Sequence, residues 1–209
     1  MSPNREFSAK SPLRLGGIEL PFGGVTHVMG VINLSPESKN LHTVARDIDE
    51  AIDLAHRYRA WGASIIDLGG QSSHFENPTI DPDVELARLL PVIEALVSDG
   101  FLVSIDTWKP EVAREAVRAG GHLVNDTAGL TDPEMRRVVA EYSVAAVAVY
   151  VEGAHPHDVD EVDTRPGKAL RTAEAFRRLL EQLEEEGIDQ VVLDPGIALN
   201  YRGDYSAYT

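Results

Sequence analysis

The 209-residue chain contains no cysteine, which excludes disulfides, thiolate metal sites and a cysteine nucleophile. Basic residues are scarce: 19 Lys and Arg stand against 34 Asp and Glu, for a formal charge of −15. So acidic a surface argues against binding nucleic acid, whose phosphates need neutralising, and against adsorption to anionic membranes. No apolar run approaches the roughly 20 residues that a membrane span requires. The first twelve residues, MSPNREFSAKSP, lack the apolar stretch of a signal peptide and read as a disordered polar tail. What is present is ample apolar content, 43%, enough for a substantial core. The expectation is a soluble, cytoplasmic domain covering 13–209, with no internal linker.

Past the tail, Leu13 to Leu20 alternates apolar and polar residues around Gly16-Gly17, the pattern of a short hairpin. A rhythm of short apolar runs and longer helical patterns follows. The runs are 27–33, 63–67, 101–106, 122–125, 144–151 and 190–194. Each is apolar on both faces, which suits parallel strands covered on both sides. Between them, Val44, Ile48, Ala51, Ile52 and Ala55 make one helical face. Asp81-Pro82 opens a second helix, in which Pro91 predicts a kink. Pro110 opens a third that Gly120 closes, and Asp132-Pro133 caps a fourth. Leu170, Ala173, Phe176, Leu179, Leu180 and Leu183 stripe a fifth. Six strands alternating with five helices make a parallel α/β fold, either an open doubly wound sheet or a barrel.

Asn33, Asp67, Asp106, Asn125 and Asp194 each fall at the C-terminal end of an apolar run. Any one of them could simply open a loop or cap a helix. Five in six strands indicate a shared mouth, because parallel folds present ligands at that edge. Carboxylates gathered there need a cation, or a ligand rich in N–H donors. Arg and Lys are missing from these strand ends, so the pocket suits a neutral, donor-rich ring or a metal. Leu68-Gly69-Gly70-Gln71-Ser72-Ser73 offers close backbone approach and hydroxyls for phosphate oxygens, but it is neither a Walker A loop nor a GxGxxG fingerprint. The pair His155 and His157 sits in an acidic loop with Pro156 between them, and reads as a solvated loop rather than a metal site. His56 and Trp61 are expected to pack locally.

Together these segments resemble dihydropteroate synthase, the pterin-binding (β/α)8 TIM barrel of folate synthesis. The run Met29-Gly30-Val31-Ile32-Asn33-Leu34-Ser35-Pro36-Glu37-Ser38 is similar to its MGxxNxTPDSF signature. Asp67-Leu68-Gly69-Gly70-Gln71-Ser72-Ser73 resembles DxGGEST, and Ser104-Ile105-Asp106-Thr107, Val124-Asn125-Asp126 and Asp194-Pro195-Gly196-Ile197 match later landmarks in order. The resemblance implies a barrel with an N-terminal hairpin, of which this chain covers about six of eight units. It implies a transferase that condenses 6-hydroxymethyl-7,8-dihydropterin pyrophosphate with p-aminobenzoate, giving dihydropteroate and pyrophosphate. Asp106, Asn125 and Asp194 would line the pterin pocket as the catalytic set, with Asp67 in support. Ser73 and His74 would hold pyrophosphate, and Asn33 would bind Mg²⁺, a Lewis acid for the departing group. A homodimer is also implied.

The departures from the family pattern are specific. Lys39 stands where the family has an aromatic residue, and His74 where it has Arg. Val149-Tyr150-Val151 replaces Met-His-Met, and Ala198-Leu199-Asn200-Tyr201 replaces Gly-Phe-Gly-Lys. With six strands read out of eight, the native polypeptide is expected to continue for roughly 60 residues, about two βα units. The alternative functional reading is a non-catalytic pterin- or folate-binding paralogue that has lost the pyrophosphate and aminobenzoate sites. A methyltetrahydrofolate-binding barrel of the corrinoid methyltransferase kind shares the ring pocket, but fits the Ser-Pro-Glu-Ser and Gly-Gly-Gln-Ser-Ser segments less well.

Overall fold

A computed structural model describes residues 11–38, 41–74, 77–158 and 167–197. The expected tail up to position 10, Lys39, and the 198–201 segment lie outside the described residues. The chain opens with an antiparallel hairpin, β1 (Leu13–Leu15) and β2 (Ile18–Leu20), turned by Gly16 and Gly17 at positive φ. Six parallel strands follow: β3 (Val28–Asn33), β4 (Ala63–Gly69), β5 (Val103–Asp106), β6 (Leu123–Asp126), β7 (Ala145–Val149) and β8 (Val191–Asp194). Their order in the sheet is their order in the chain, β3-β4-β5-β6-β7-β8. A doubly wound sheet reverses order at a switch point; this one never does, and of the two architectures only the barrel path remains.

The side chains show that the sheet curls. Period 2 sends Met29, Ile65, Leu123, Val147 and Val192 to one face, and these pack into a single cluster. Met29 lies on one edge strand and Val192 on the other, so that face is the inside of a curved wall. Leu13, Leu15 and Leu20 of the hairpin join the same cluster. The hairpin therefore plugs the N-terminal end of the bore, and the C-terminal end is left as the mouth.

The alternate residues face the helices: α1 (Ile48–Ala60), α2 (Pro82–Ser98), α3 (Pro110–Arg118), α4 (Pro133–Tyr142) and α5 (Lys168–Glu185). Ile32, Ile66, Leu68, Val103 and Ile105 pack against Ala51, Leu54, Leu89, Val92, Ile93 and Val112. Val124, Ala146 and Ala148 pack against Met135, Val138, Val139 and Leu183. The helix starts follow their sequence signals: Asp47, Asp81 and Asp132 each accept a backbone N–H from the first turn, and Pro is the first residue of α2, α3 and α4. Gly120, at φ +107°, supplies the left-handed residue after α3.

Two details differ from the sequence reading, the start of α1 and the exposure of Trp61. Helix α1 begins at Ile48 rather than near Val44, because Val44 bridges in parallel to Asn33 and Asp47 takes the cap. Helix α2 runs on through Pro91, which lies on its exposed side, as the sequence reading of one helix across this proline expects. Trp61 caps α1 and leans on Tyr58, yet remains 76% exposed; His56 does pack locally, edge-on to Phe101 and paired with Asp99.

The turn from α3 into β6 packs tightly against Ile105 of β5 and the last turn of α3, where Gly121 has no side chain. A Cβ there would lie 2.2 Å from Ile105 Cδ1 and 3.0 Å from the Ala116 carbonyl oxygen. Gly121→Ala is expected to cost about 1–3 kcal/mol by overpacking, read as a lower urea midpoint with an unchanged m-value.

Candidate functional site

The mouth takes shape from register. Asn33 pairs with Gly69, Gly69 with Asp106, and Asp106 with Asn125, so one sheet row carries an amide, a gap, a carboxylate and an amide. Below it, Val31, Asp67 and Ser104 form the next row. Asp67 is thus not at the strand end, as the sequence pattern suggested, because β4 continues two residues further. It is buried in the bore and satisfied from two neighbouring strands: Ser104 Oγ donates to Oδ1 at 2.6 Å, and Asn125 Nδ2 to Oδ2 at 3.1 Å. Burial pushes the Asp67 carboxyl above the ordinary range, and these two bonds oppose the shift.

That second bond orients Asn125. Its Nδ2 faces Asp67, and its Oδ1 is buried without a hydrogen-bond partner among the described residues. A buried acceptor left open in this way is costly unless a ligand supplies a donor. Asp106 lies beside it and retains some exposure at the mouth. Its carboxyl is pushed well above the ordinary range, first by burial, then by repulsion from Asp67, Glu85 and Asp126. The site is an acceptor-rich floor that favours incoming N–H groups.

Gly69 keeps the mouth open. A Cβ on it would lie 3.3 Å from Asn33 Oδ1 and 3.5 Å from Asp106 Oδ2. Asn33 Nδ2 donates to Thr43 Oγ1 at 2.6 Å, which turns Oδ1, a hard oxygen donor, toward the same opening. Among the described residues no cluster of three His, Asp or Glu could hold a metal. The donors present therefore fit a Mg²⁺ ion that brings its own water and phosphate ligands, and do not fit a protein-enclosed ion.

The loop after β4 is fixed residue by residue. Arg88 of α2 donates to the Gly70 carbonyl at 2.8 Å and pairs with Glu37 at 3.0 Å. Lys109 Nζ donates to Gln71 Oε1 at 2.6 Å, Ile80 O at 2.7 Å and Glu85 Oε2 at 2.8 Å. Asn77 Nδ2 donates to Ser72 Oγ at 2.8 Å and to the Glu37 carbonyl at 3.1 Å. Ser73 and His74 follow this anchored stretch, both partly buried.

Two corrections concern charge. The strand ends are not devoid of cations: Lys109, three residues beyond Asp106, is buried under the β4 loop, fully engaged by three acceptors. The His155–His157 loop is not simply solvated. Trp108 stacks on His155 with centroids 6.0 Å apart, and meets His157 edge-on at 5.0 Å, which brings the segment onto the rim. Sequence spacing missed this, because Trp108 and His157 belong to different βα units. Asp194 stands apart from the other four mouth residues. It is exposed on edge strand β8, and its Oδ1 accepts the Gly196 N–H at 2.8 Å.

Fold and site together define a parallel α/β domain of barrel type, with its polar chemistry gathered at the C-terminal mouth of the strands. The family model described as pterin binding enzyme matches residues 29–206, and the chain belongs to that family. It is 36% identical to the mitochondrial folate synthesis bifunctional protein of Pisum sativum over 84% of this chain and 36% of that protein. It is 32% identical to the dihydropteroate synthase of Synechocystis over 89% of this chain and 65% of that one. The chain thus spans less than two thirds of these relatives' length. Among solved structures, Burkholderia cenocepacia dihydropteroate synthase complexed with 7,8-dihydropteroate superposes with a TM-score of 0.81 at 29% identity, covering 95% of this chain and 68% of that one. The Thermus thermophilus enzyme in complex with 4-aminobenzoate gives 0.76 at 35% identity, covering 91% and 68%.

Asp126, on the helix-facing side of β6, offers a pH test of the fold around the site. It accepts backbone N–H groups from Ala128 at 2.8 Å and Leu130 at 2.7 Å, yet burial raises its carboxyl from 3.8 to about 6. The unfolded chain ionises first, so this stability is full below about pH 4 and is lost as pH rises through about 6. The loss amounts to roughly 3 kcal/mol at most. Asp126→Asn removes this component, and its urea-derived stability should fall less steeply than the wild type's between those pH values.

Proposed function

We propose that this chain provides the pterin side of a dihydropteroate synthase, which joins 6-hydroxymethyl-7,8-dihydropterin pyrophosphate to p-aminobenzoate and releases pyrophosphate. The observation that carries this reading is the acceptor pair at the mouth: Asn125 Oδ1, buried and without a partner among the described residues, next to the part-buried Asp106 carboxyl. A pterin's aminopyrimidinone edge offers adjacent N–H donors, and a carboxylate can accept two of them at once. Asp106 would take that pair, Asn125 a further donor, and Asp67 would hold Asn125 in place. Asp194 would close the pocket from β8.

Ser73 and His74 would receive the pyrophosphate, and Asn33 Oδ1 would be a protein ligand to Mg²⁺. When bound, that ion would neutralise charge on the departing pyrophosphate. Bond cleavage leaves positive charge on the pterin's exocyclic methylene, which the amine of p-aminobenzoate attacks. The acidic floor favours that charge, so the residues contribute position and electrostatics without a nucleophile. A cytoplasmic homodimer, associating through outer helices, belongs to the same reading.

A specific feature supports a second reading, a pterin-binding protein without synthase activity: His74 occupies the position where the family pattern has a permanently charged Arg. The two readings separate on turnover. Pyrophosphate release that requires both p-aminobenzoate and Mg²⁺ supports the synthase, and pterin binding without release supports the paralogue. Both require Asp106. Asp106→Asn presents an NH₂ group to ring donors, and should weaken pterin binding by about a hundredfold in calorimetry. Unchanged affinity would show that the ring binds elsewhere.

A further inference from the structure

We propose that His157, from the loop after β7, is a positioning residue for the pyrophosphate-binding turn at Ser72–Ser73. This rests on the assignment of Ser73 to pyrophosphate made above. His157 Nε2 lies 2.9 Å from the Ser72 carbonyl oxygen, across 85 residues of sequence. A carbonyl can only accept, so Nε2 carries the proton. Nδ1 then accepts from the Thr79 hydroxyl at 3.1 Å. Trp108 closes one side of the ring edge-on at 5.0 Å.

The neutral imidazole these bonds require is also the one the surroundings favour. Burial lowers the affinity of His157 for a second proton, and the basic side chains that face it, His155, Lys109 and His74, lower it further; only the bond to the Ser72 carbonyl opposes them. The ring therefore works in one tautomer, as a fixed donor.

The consequence for Ser73 follows from covalent geometry. The Ser72 carbonyl and the Ser73 N–H belong to one planar trans peptide unit and point in opposite directions. Holding the carbonyl sets that plane, and with it the direction of the Ser73 backbone. The preceding residues are already fixed, Gly70 by Arg88 and Gln71 by Lys109. His157 fixes the last peptide before Ser73. It is also the one tie in this series that comes from the opposite part of the described wall, so the β7 loop and the β4 loop are set relative to each other.

The test is calorimetry on the full 209-residue chain with inorganic pyrophosphate plus Mg²⁺, and separately with 6-hydroxymethylpterin. His157→Ala should weaken pyrophosphate binding by about tenfold while pterin affinity stays within about twofold. His157→Gln, whose amide Nε2 can reach the same carbonyl, should restore most of the loss. Thr79→Val, which releases Nδ1, should cost about threefold for pyrophosphate alone; it carries the test if His157→Ala does not fold. Wild-type pyrophosphate affinity in His157→Ala, or in Thr79→Val where that variant decides, would overturn the inference. So would an equal loss for both ligands, or no rescue by Gln. A wild-type chain that binds pterin but not pyrophosphate would reject the Ser73 assignment and this inference with it. Binding neither would reject the proposed function itself.

Discussion

Asp67 is a carboxylate buried in the bore of a parallel sheet, and the rest of the site depends on how it is held. Its two oxygens take one donor from β5 and one from β6. Without them the group would be a desolvated charge costing several kcal/mol. The Asn125 bond commits the amide nitrogen inward and leaves the amide oxygen open beside Asp106. The open oxygen and the Asp106 carboxylate then form a row of acceptors. A single satisfied carboxylate thereby sets the hydrogen-bonding polarity of the floor above it.

The proposed anion side is built on a different logic. There the candidate residues, Ser73 and His74, sit on a loop whose order comes from ties to several separate elements. Arg88 on α2, Lys109 after β5, Asn77 further along the same loop and His157 after β7 each hold a successive part of residues 70–72. Lys109 illustrates the cost of such anchoring. It is buried together with Glu85, and losing either partner would leave an uncompensated charge beneath the loop.

Much of the fold was legible because its signals are local. Asp-Pro pairs start α2 and α4, Gly120 ends α3, and apolar runs on both faces mark the strands. Strand order was not local, and the sequence pattern left barrel and open sheet as alternatives until Met29 and Val192 were found in one cluster. At the site, Asp106, Asn125 and Asn33 could be read from their place at the ends of apolar runs. The depth of Asp67 could not, since it depends on two further residues of pairing with β3 and β5. The contacts of Lys109 and His157 are equally non-local. One lies just past a strand end and the other in an acidic loop, and each finds its partners across units that sequence spacing does not connect.

The acidity of the chain acquires a local meaning at the mouth. Lys109 and Arg88 are the cations nearest the β4 loop in the contacts described, and both are already engaged by carbonyl and carboxylate oxygens. Neither is available to a ligand without giving up an internal bond. A ring rich in N–H donors needs no such cation, because the acceptor floor is complementary to it as it stands. A pyrophosphate does need positive charge. What the described contacts leave open is the hard oxygen of Asn33, which would suit an ion that arrives with the phosphate. The acceptor floor is therefore built into the sheet, whereas the proposed anion side would depend on an ion brought by the ligand and on the set of one loop.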